Sequence, residues 1–291
     1  MNLIVTGSDG QLGTALKYIS NKYSSFNWIF FNRSGFDITS SLEIENELTK
    51  FSNMKTILIN CSAYTDVEKA ESEPDRAYAV NSEGVRNLSE FCRETEIRLI
   101  HISTDFVFNG SKCGLYNETD EPDPVSVYGK TKLEGEKAVL ENIKNCLIIR
   151  TSWLYSTTHN TFMNKIIQKS MTSAQLKVVN DEVGSPTYAM DLAFALADIC
   201  ETISINDNFK TEIYHFCNSG AVSRYDFAKK IIELADERTE IAPVKSEELG
   251  MKARRPGNSS LDNSKIKRDF GLKIRNWEDA LTEAVRIINE Q

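Results

Sequence analysis

Asn2-Leu3-Ile4-Val5-Thr6-Gly7-Ser8-Asp9-Gly10-Gln11-Leu12-Gly13 is the stretch that decides the fold. Residues 2–5 read as a short strand, and residues from 11 onward as a helix. Between them the glycines stand in the spacing GxxGxxG, a variant of the GxGxxG fingerprint found between a strand and a helix in dinucleotide-binding folds. Gly7 permits the tight turn, Gly10 lets the backbone approach a pyrophosphate, and Gly13 lets the helix pack closely on the sheet. The helix N-terminus then presents free N–H groups and a partial positive charge to phosphates. The plainer alternative is that the glycines serve only a tight turn.

Working outward, strand-like runs recur at 28–31, 56–60, 99–103 and 146–150. Helix-like segments lie between them at 11–20, 42–50, 75–95 and 128–141. Several of the strands are continuously apolar, as strands covered on both faces are. Alternating β and α elements of this kind predict an α/β fold, a Rossmann-type doubly wound parallel sheet with right-handed crossovers. Ser40, with Glu43 three residues on, has capping-box spacing. Beyond 152 the pattern loosens: strands at 176–180, 213–216 and 241–244, helices at 188–201, 225–235 and 277–289. The expected organisation is a dinucleotide-binding unit over 1–152, joined by a returning strand near 176–180. A smaller substrate-binding unit over 153–291 is interleaved with the first.

The chain of 291 residues is near the upper size for one hydrophobic core, and its 41% hydrophobic and 26% charged residues are ordinary globular values. Lys and Arg total 34 against 42 Asp and Glu, a net charge of −8. That balance does not suit a nucleic-acid backbone binder, although a few placed arginines can still hold an anionic small molecule. No apolar run approaches the ~20 residues of a membrane span, and the first residues form no signal peptide. The six cysteines at 61, 92, 113, 146, 200 and 217 form no CxxC and read as free thiols of a reducing cytoplasm. His101, His159 and His215 are isolated, so no metal site is expected.

The second strand ends Phe30-Phe31-Asn32-Arg33-Ser34, without the acidic residue that binds the ribose hydroxyls of NAD. Arg33 suits a 2′-phosphate, which favours NADPH while leaving NADH open. Asp37 is a candidate for the adenine side. Downstream, Tyr128 and Lys132 stand at i and i+4, on one face of a helix. A free tyrosine has a pKa near 10. An ammonium about 4 Å away at an effective dielectric near 20 is worth about 4 kcal/mol, roughly three pKa units. The pair therefore predicts a phenol made acidic enough to protonate a carbonyl oxygen as hydride arrives. Thr104 lies just beyond the fourth strand, where doubly wound sheets bind ligands, and can bond the same oxygen or the phenol. Trp153 can stack on a sugar or nucleobase, and Arg254 and Arg255 can grip a diphosphate.

The glycine loop, the strand end Ser103-Thr104-Asp105-Phe106-Val107-Phe108 and the Tyr128…Lys132 pair resemble the extended short-chain dehydrogenase/reductase superfamily. More narrowly, nearly the whole chain resembles the dTDP-4-dehydrorhamnose reductase family. The narrower likeness rests on 63–71 (AYTDVEKAE), 150–155 (RTSWLY), 184–187 (GSPT) and 254–259 (RRPGNS). It implies NAD(P)H-dependent reduction of the C4 ketone of dTDP-4-dehydro-L-rhamnose by a cytoplasmic enzyme, monomeric or homodimeric. In that resemblance Gly10, Gln11 and Leu12 line the pyrophosphate, Asp37 and Ile38 border the adenine, and Ala63, Tyr64 and Thr65 lie along the cofactor. Tyr128 is the proton donor, Lys132 holds the nicotinamide ribose and Thr104 assists. Asp105 and Trp153 contact the sugar and Arg255 the diphosphate. Some such families bind an interfacial metal through an acidic residue in the first helix. Ala15 stands at that position here, so no metal is expected.

Three alternatives stay open at this stage. A reductase of another nucleotide 4-keto-6-deoxysugar shares these residues and gives a different product. A nucleotide-sugar epimerase shares the Tyr/Lys pair but keeps its NAD. A non-catalytic regulatory subunit of methionine adenosyltransferase has the same fold and binds NADP.

Overall fold

A computed structural model describes residues 1–206 and 209–290, so residue 291, the last of the expected second unit, lies outside the described residues. The first half runs β1 (Asn2–Thr6), α1 (Gln11–Ile19), β2 (Asn27–Phe31), α2 (Ser41–Leu48), β3 (Thr56–Asn60), α3 (Val67–Ala70), α4 (Pro74–Tyr78), α5 (Gly84–Thr95), β4 (Arg98–Thr104), α6 (Val127–Asn142) and β5 (Cys146–Thr151). The second half runs β6 (Leu154–Tyr155), α7 (Phe162–Ser170), β7 (Gln175–Val179), β8 (Val183–Gly184), β9 (Thr187–Tyr188), α8 (Ala189–Asn206), β10 (Glu212–Phe216), β11 (Val222–Ser223), α9 (Arg224–Leu234), β12 (Glu240–Val244), α10 (Ser264–Phe270) and α11 (Trp277–Asn289).

Six strands form one parallel sheet in the order β2-β1-β3-β4-β5-β10. The period of two along each strand divides its side chains between two apolar layers. Leu3, Val5, Ile57, Ile59, Ile100 and Ile149 pack with α1 and α8, whereas Ile4, Leu58, Leu99 and Ile148 pack with α2, α5 and α6. The order reverses at β1: β2 lies to one side of it and β3 to the other. In open α/β sheets ligands bind outside the carboxyl ends of the strands at such a switch point.

The returning strand is not where the sequence reading put it. β7, at Gln175–Val179, pairs with β12 in a separate two-stranded sheet, and β10 is the strand that completes the large one. The reason is polarity. Gln175 and Lys177 are exposed and alternate with buried Leu176 and Val178, a one-faced pattern. β10 instead feeds Tyr214 and Phe216 to one layer and Ile213 to the other. A further core gathers α7, α9, α11, β7 and β12 around Phe227, Ile231, Leu281 and Val285.

Two local expectations also change. The helix expected over 75–95 is interrupted by a π-helical turn at Ala79–Glu83. That turn puts buried Asn81 between the loop after β3 and α6, where its amide accepts from the Tyr64 N–H at 2.8 Å and donates to the Tyr64 carbonyl and to Thr131 Oγ1. At α2, Ser40 Oγ accepts from the Glu43 N–H, but the Glu43 carboxylate reaches past the cap to the Asp37 N–H at 2.7 Å, so only half of the capping box forms. The described cysteines are all unpaired. Cys113 is exposed, Cys61 is partly buried and the others are buried. Among the described residues no helix is long and apolar enough to cross a membrane, and no His/Cys/Asp/Glu group could hold a metal ion.

Candidate active site

One cleft of about 1190 Å³ opens over the carboxyl ends of β1, β3, β4 and β5. That exceeds the range of a site for one drug-sized ligand, about 300–1,000 Å³. It is lined by Gly7, Gly10, Gln11, Leu12, Gly13, Arg33, Asp37, Ile38, Ala63, Tyr64, Thr65, Thr104, Asp105, Tyr128, Lys132, Trp153 and Arg255. The structure thus brings together the cofactor, catalytic and substrate candidates named from the sequence, with one exception. Arg254 does not line it and is exposed.

The glycine loop fits a dinucleotide pyrophosphate. Gly7 has φ +65°, and a Cβ there would stand 2.8 Å from the backbone of Cys61 and Ser62. A side chain would therefore push the loop off the neighbouring strand end. No side chain caps the start of α1, whose N-cap is Gly10, and its first turn holds no acidic residue. Its leading N–H groups face the cleft with the positive end of the helix dipole. The buried Gln11 Oε1 has no partner within the chain, leaving an acceptor for a bound group. A strap from the other side meets this loop: His159 Nε2 lies 2.8 Å from the Asp9 carbonyl oxygen, and Nδ1 lies 2.9 Å from Thr158 Oγ1.

At the adenine end, Asp37 is committed locally, its carboxylate accepting from the Thr39 N–H and hydroxyl. Arg33 stands exposed at the rim beside Ser34, with no carboxylate after β2 to hold ribose hydroxyls. Arg33→Ala is expected to raise the KM for NADPH about 10-fold or more, the worth of a charge-assisted bond, and to leave the KM for NADH within about twofold. Steady-state kinetics with both cofactors checks this. Equal changes for the two would remove the 2′-phosphate role.

Tyr128 and Lys132 stand on α6, whose N-cap Ser126 accepts from the Gly129 N–H at 3.1 Å. The phenol of Tyr128 packs edge-on against Phe106 at 5.5 Å. Burial pushes it up to about 12, while the hydrogen bond with Thr104 pulls it down and the Asp105 charge pushes it up. This corrects the expectation that Lys132 makes the phenol acidic. The Lys132 ammonium is turned into the sheet, where Nζ donates to the Ile102 carbonyl at 2.7 Å and lies 3.4 Å from His101 Nε2. Burial lowers Lys132 to about 8, with Glu136 and Cys61 opposing that shift. Behind it runs a buried polar chain: His101 Nδ1 is 3.1 Å from Asn60 Nδ2, and Asn60 Oδ1 accepts from Thr6 Oγ1 and the Ser62 N–H. Burial and the Lys132 charge hold His101 well below the ordinary histidine range, so the ring is neutral at pH 7.

Asp105 accepts from Thr104 Oγ1 and Ser152 Oγ, and burial raises its pKa against those bonds. Trp153 follows β5 in a left-handed backbone conformation, φ +46°. That position is uncommon for a bulky residue. Its indole fills the space over Gly184, where a Cβ would stand 2.4 Å from the ring. The ring is already stacked by a guanidinium, that of Arg224 at 3.5 Å. Arg255 is ion-paired with Glu68 at 2.8 Å.

The sequence reading missed Arg224, Phe162, Phe227, His159 and Asn160, all of which line the cleft. They lie outside every motif quoted above. Only the packing of α7 and α9 against each other, and the loop after β6, carries them to the cleft.

The matches to known proteins run over the same span as this geometry. A family model described as the RmlD substrate binding domain matches residues 1–289. The dTDP-4-dehydrorhamnose reductase of Aggregatibacter actinomycetemcomitans is 36% identical over 285 residues, 96% of each chain. That of Sinorhizobium fredii is 36% identical over 290 residues, covering 98% of this chain and 97% of the relative. The crystal structure of dTDP-4-dehydrorhamnose reductase from Bacillus anthracis, in complex with NADP, superposes with a TM-score of 0.90 at 33% identity, covering 98% of this chain and 99% of that one. A UDP-glucose 4-epimerase from Thermus thermophilus shares the fold, with a TM-score of 0.80 at 16% identity. From the glycine loop to the final helix, then, sequence and architecture agree: the chain belongs to the RmlD substrate binding domain family.

Proposed function

We propose that this protein reduces the C4 ketone of dTDP-4-dehydro-L-rhamnose to dTDP-L-rhamnose with NADPH. The observation that carries the reading is geometric: the half-buried Tyr128, with Thr104 and Lys132, lines the same cleft as the glycine loop. NADPH, when bound, supplies hydride to the ketone carbon. Gly7, Gly10 and the first N–H groups of α1 hold its pyrophosphate, and Arg33 its 2′-phosphate. A phenol held near 12 remains protonated throughout the neutral range, the state a proton donor to a nascent alkoxide requires. Thr104 orients that proton. Lys132, one turn along the same helix and lining the same cleft, offers its ammonium to the ribose hydroxyls. Asp105, fixed by Thr104 and Ser152, presents an acceptor for a sugar hydroxyl. The residues thus divide into a cofactor arm along β1–β3 and a substrate arm formed after β5.

A coupled assay tests the reading. dTDP-4-dehydrorhamnose generated enzymatically is mixed with NADPH, and the product is identified by NMR. One dTDP-L-rhamnose per NADPH oxidised is the expected result. A 6-deoxytalose product would move the protein to a related reductase, and tightly bound NAD with no net NADPH consumption would make it an epimerase.

The pH dependence follows from Lys132. Its folded-state pKa lies below the ordinary lysine value, so its proton is lost as pH rises through about 8. kcat/KM for reduction is expected to be flat below that pH and to fall above it, because kcat/KM reports the free enzyme. A profile level up to pH 10 would exclude a role for the ammonium.

A further inference from the structure

Arg224 is the first residue of α9 and reaches into the substrate arm of the cleft. Its guanidinium lies 3.5 Å over the Trp153 ring and 5.0 Å from that of Phe162. Its side chain is 17% exposed, and its nearest charge partner, Glu182 Oε2, is 3.7 Å from Nε. That is an ion pair too long for a hydrogen bond. Among the described residues no acceptor takes a hydrogen bond from this guanidinium, which carries five N–H donors in a planar fork.

Two further arginines are engaged. Arg255 is held by Glu68 at 2.8 Å and by the Ala253 carbonyl at 3.3 Å. Arg150 is bound bidentately by Glu136. A mostly buried guanidinium without acceptors carries a desolvation cost, which a ligand supplying charged oxygens would recover. Stacking on Trp153 holds the fork in place without occupying its donors, so little ordering remains to be done on binding.

We propose that Arg224, rather than Arg255, is the principal ligand for the diphosphate of the nucleotide-sugar substrate, a refinement that rests on the functional reading above. Trp153 is then a platform that holds the arginine. Glu182 faces both Arg224 and Arg255 and is itself raised by burial. It holds Arg224 in register without saturating it, and competes with the incoming anion. The chemistry is that of a bidentate guanidinium–phosphate contact in a cleft that limits water.

Calorimetric titration of the full chain with dTDP and with thymidine tests this. Arg224→Met is expected to weaken dTDP about 10- to 100-fold, the range for charged hydrogen bonds, with thymidine unchanged within about twofold. Arg224→Lys should recover part of the loss, and Arg255→Met should lose less than Arg224→Met. Glu182→Gln, a second and independent arm, should tighten dTDP severalfold. The proposal falls if Arg224→Met binds dTDP within about threefold of the unaltered chain, or if thymidine weakens as much as dTDP. It falls equally if Arg255→Met loses more, or if Glu182→Gln binds no tighter. Binding of dTDP does not depend on turnover. Arg224-dependent binding without reduction of the dTDP-sugar would overturn the functional reading alone, and reduction without Arg224-dependent binding would overturn this proposal alone.

Discussion

Tyr128→Phe is expected to lower kcat for ketone reduction by about 10²–10⁴-fold, the contribution of a positioned proton donor, while the KM for NADPH stays within about threefold. The substitution removes one oxygen from a ring that otherwise keeps its edge-on contact with Phe106, so packing is retained. What disappears is the phenol proton that the proposed mechanism delivers to the substrate oxygen. Single-turnover measurement of NADPH oxidation separates the chemical step from binding. A variant with unaltered kcat would show that another group, or water, protonates the alkoxide, and the mechanism would have to be rebuilt around Thr104 or Asp105.

Glu136→Ala is expected to cost about 3–5 kcal/mol of stability, the range for stripping one partner from a buried ion pair. Glu136 lies one helical turn beyond Lys132 and is almost completely buried, as is Arg150. Its two oxygens take Arg150 Nε at 2.9 Å and Nη2 at 2.6 Å, and Oε1 also accepts from Ser103 Oγ at 2.5 Å. Removing the carboxylate strands a guanidinium between β5 and α6, and Arg150 Nη1 has no partner even in the intact protein. Replacing both partners, as in Glu136→Leu with Arg150→Met, should be milder than the single change, because no charge is then left buried alone. Urea midpoints at constant m-value measure both. A loss below about 1 kcal/mol for Glu136→Ala would mean that water reaches Arg150. Because this pair ties α6 to the strand beside Thr104, the destabilised variant should also lose activity in proportion to the fraction unfolded.

The reading of particular residues shows where sequence suffices. Gly7 and Gly10 were legible because a strand, a sharp turn and a helix follow one another within a few residues. The demands on each glycine are local ones, set by positive φ and close approach. Tyr128 and Lys132 were legible for a similar reason: i and i+4 fix a shared face wherever a helix forms. The electrostatics of that pair were not legible. Spacing places two groups on one face, but whether the ammonium points at the phenol depends on the Ile102 carbonyl and His101, which come from a different strand. The misassigned sixth strand is a subtler case. Gln175 and Lys177 alternate with Leu176 and Val178, a period that already argues for a one-faced sheet.

Local sequence therefore sets the α/β class, the glycine turn between β1 and α1, the shared helix face of Tyr128 and Lys132, and the absence of an acidic residue at the end of the second strand. Each of these is set by neighbours within about a helical turn, where chain connectivity dictates geometry. Tertiary contacts set that β10 closes the sheet, that the Lys132 ammonium bonds the Ile102 carbonyl, and that the Arg224 guanidinium lies over Trp153. Those outcomes depend on burial and on contacts between segments far apart along the chain. There the competition among buried acceptors, charges and ring faces is settled by packing, which no local pattern of residues specifies.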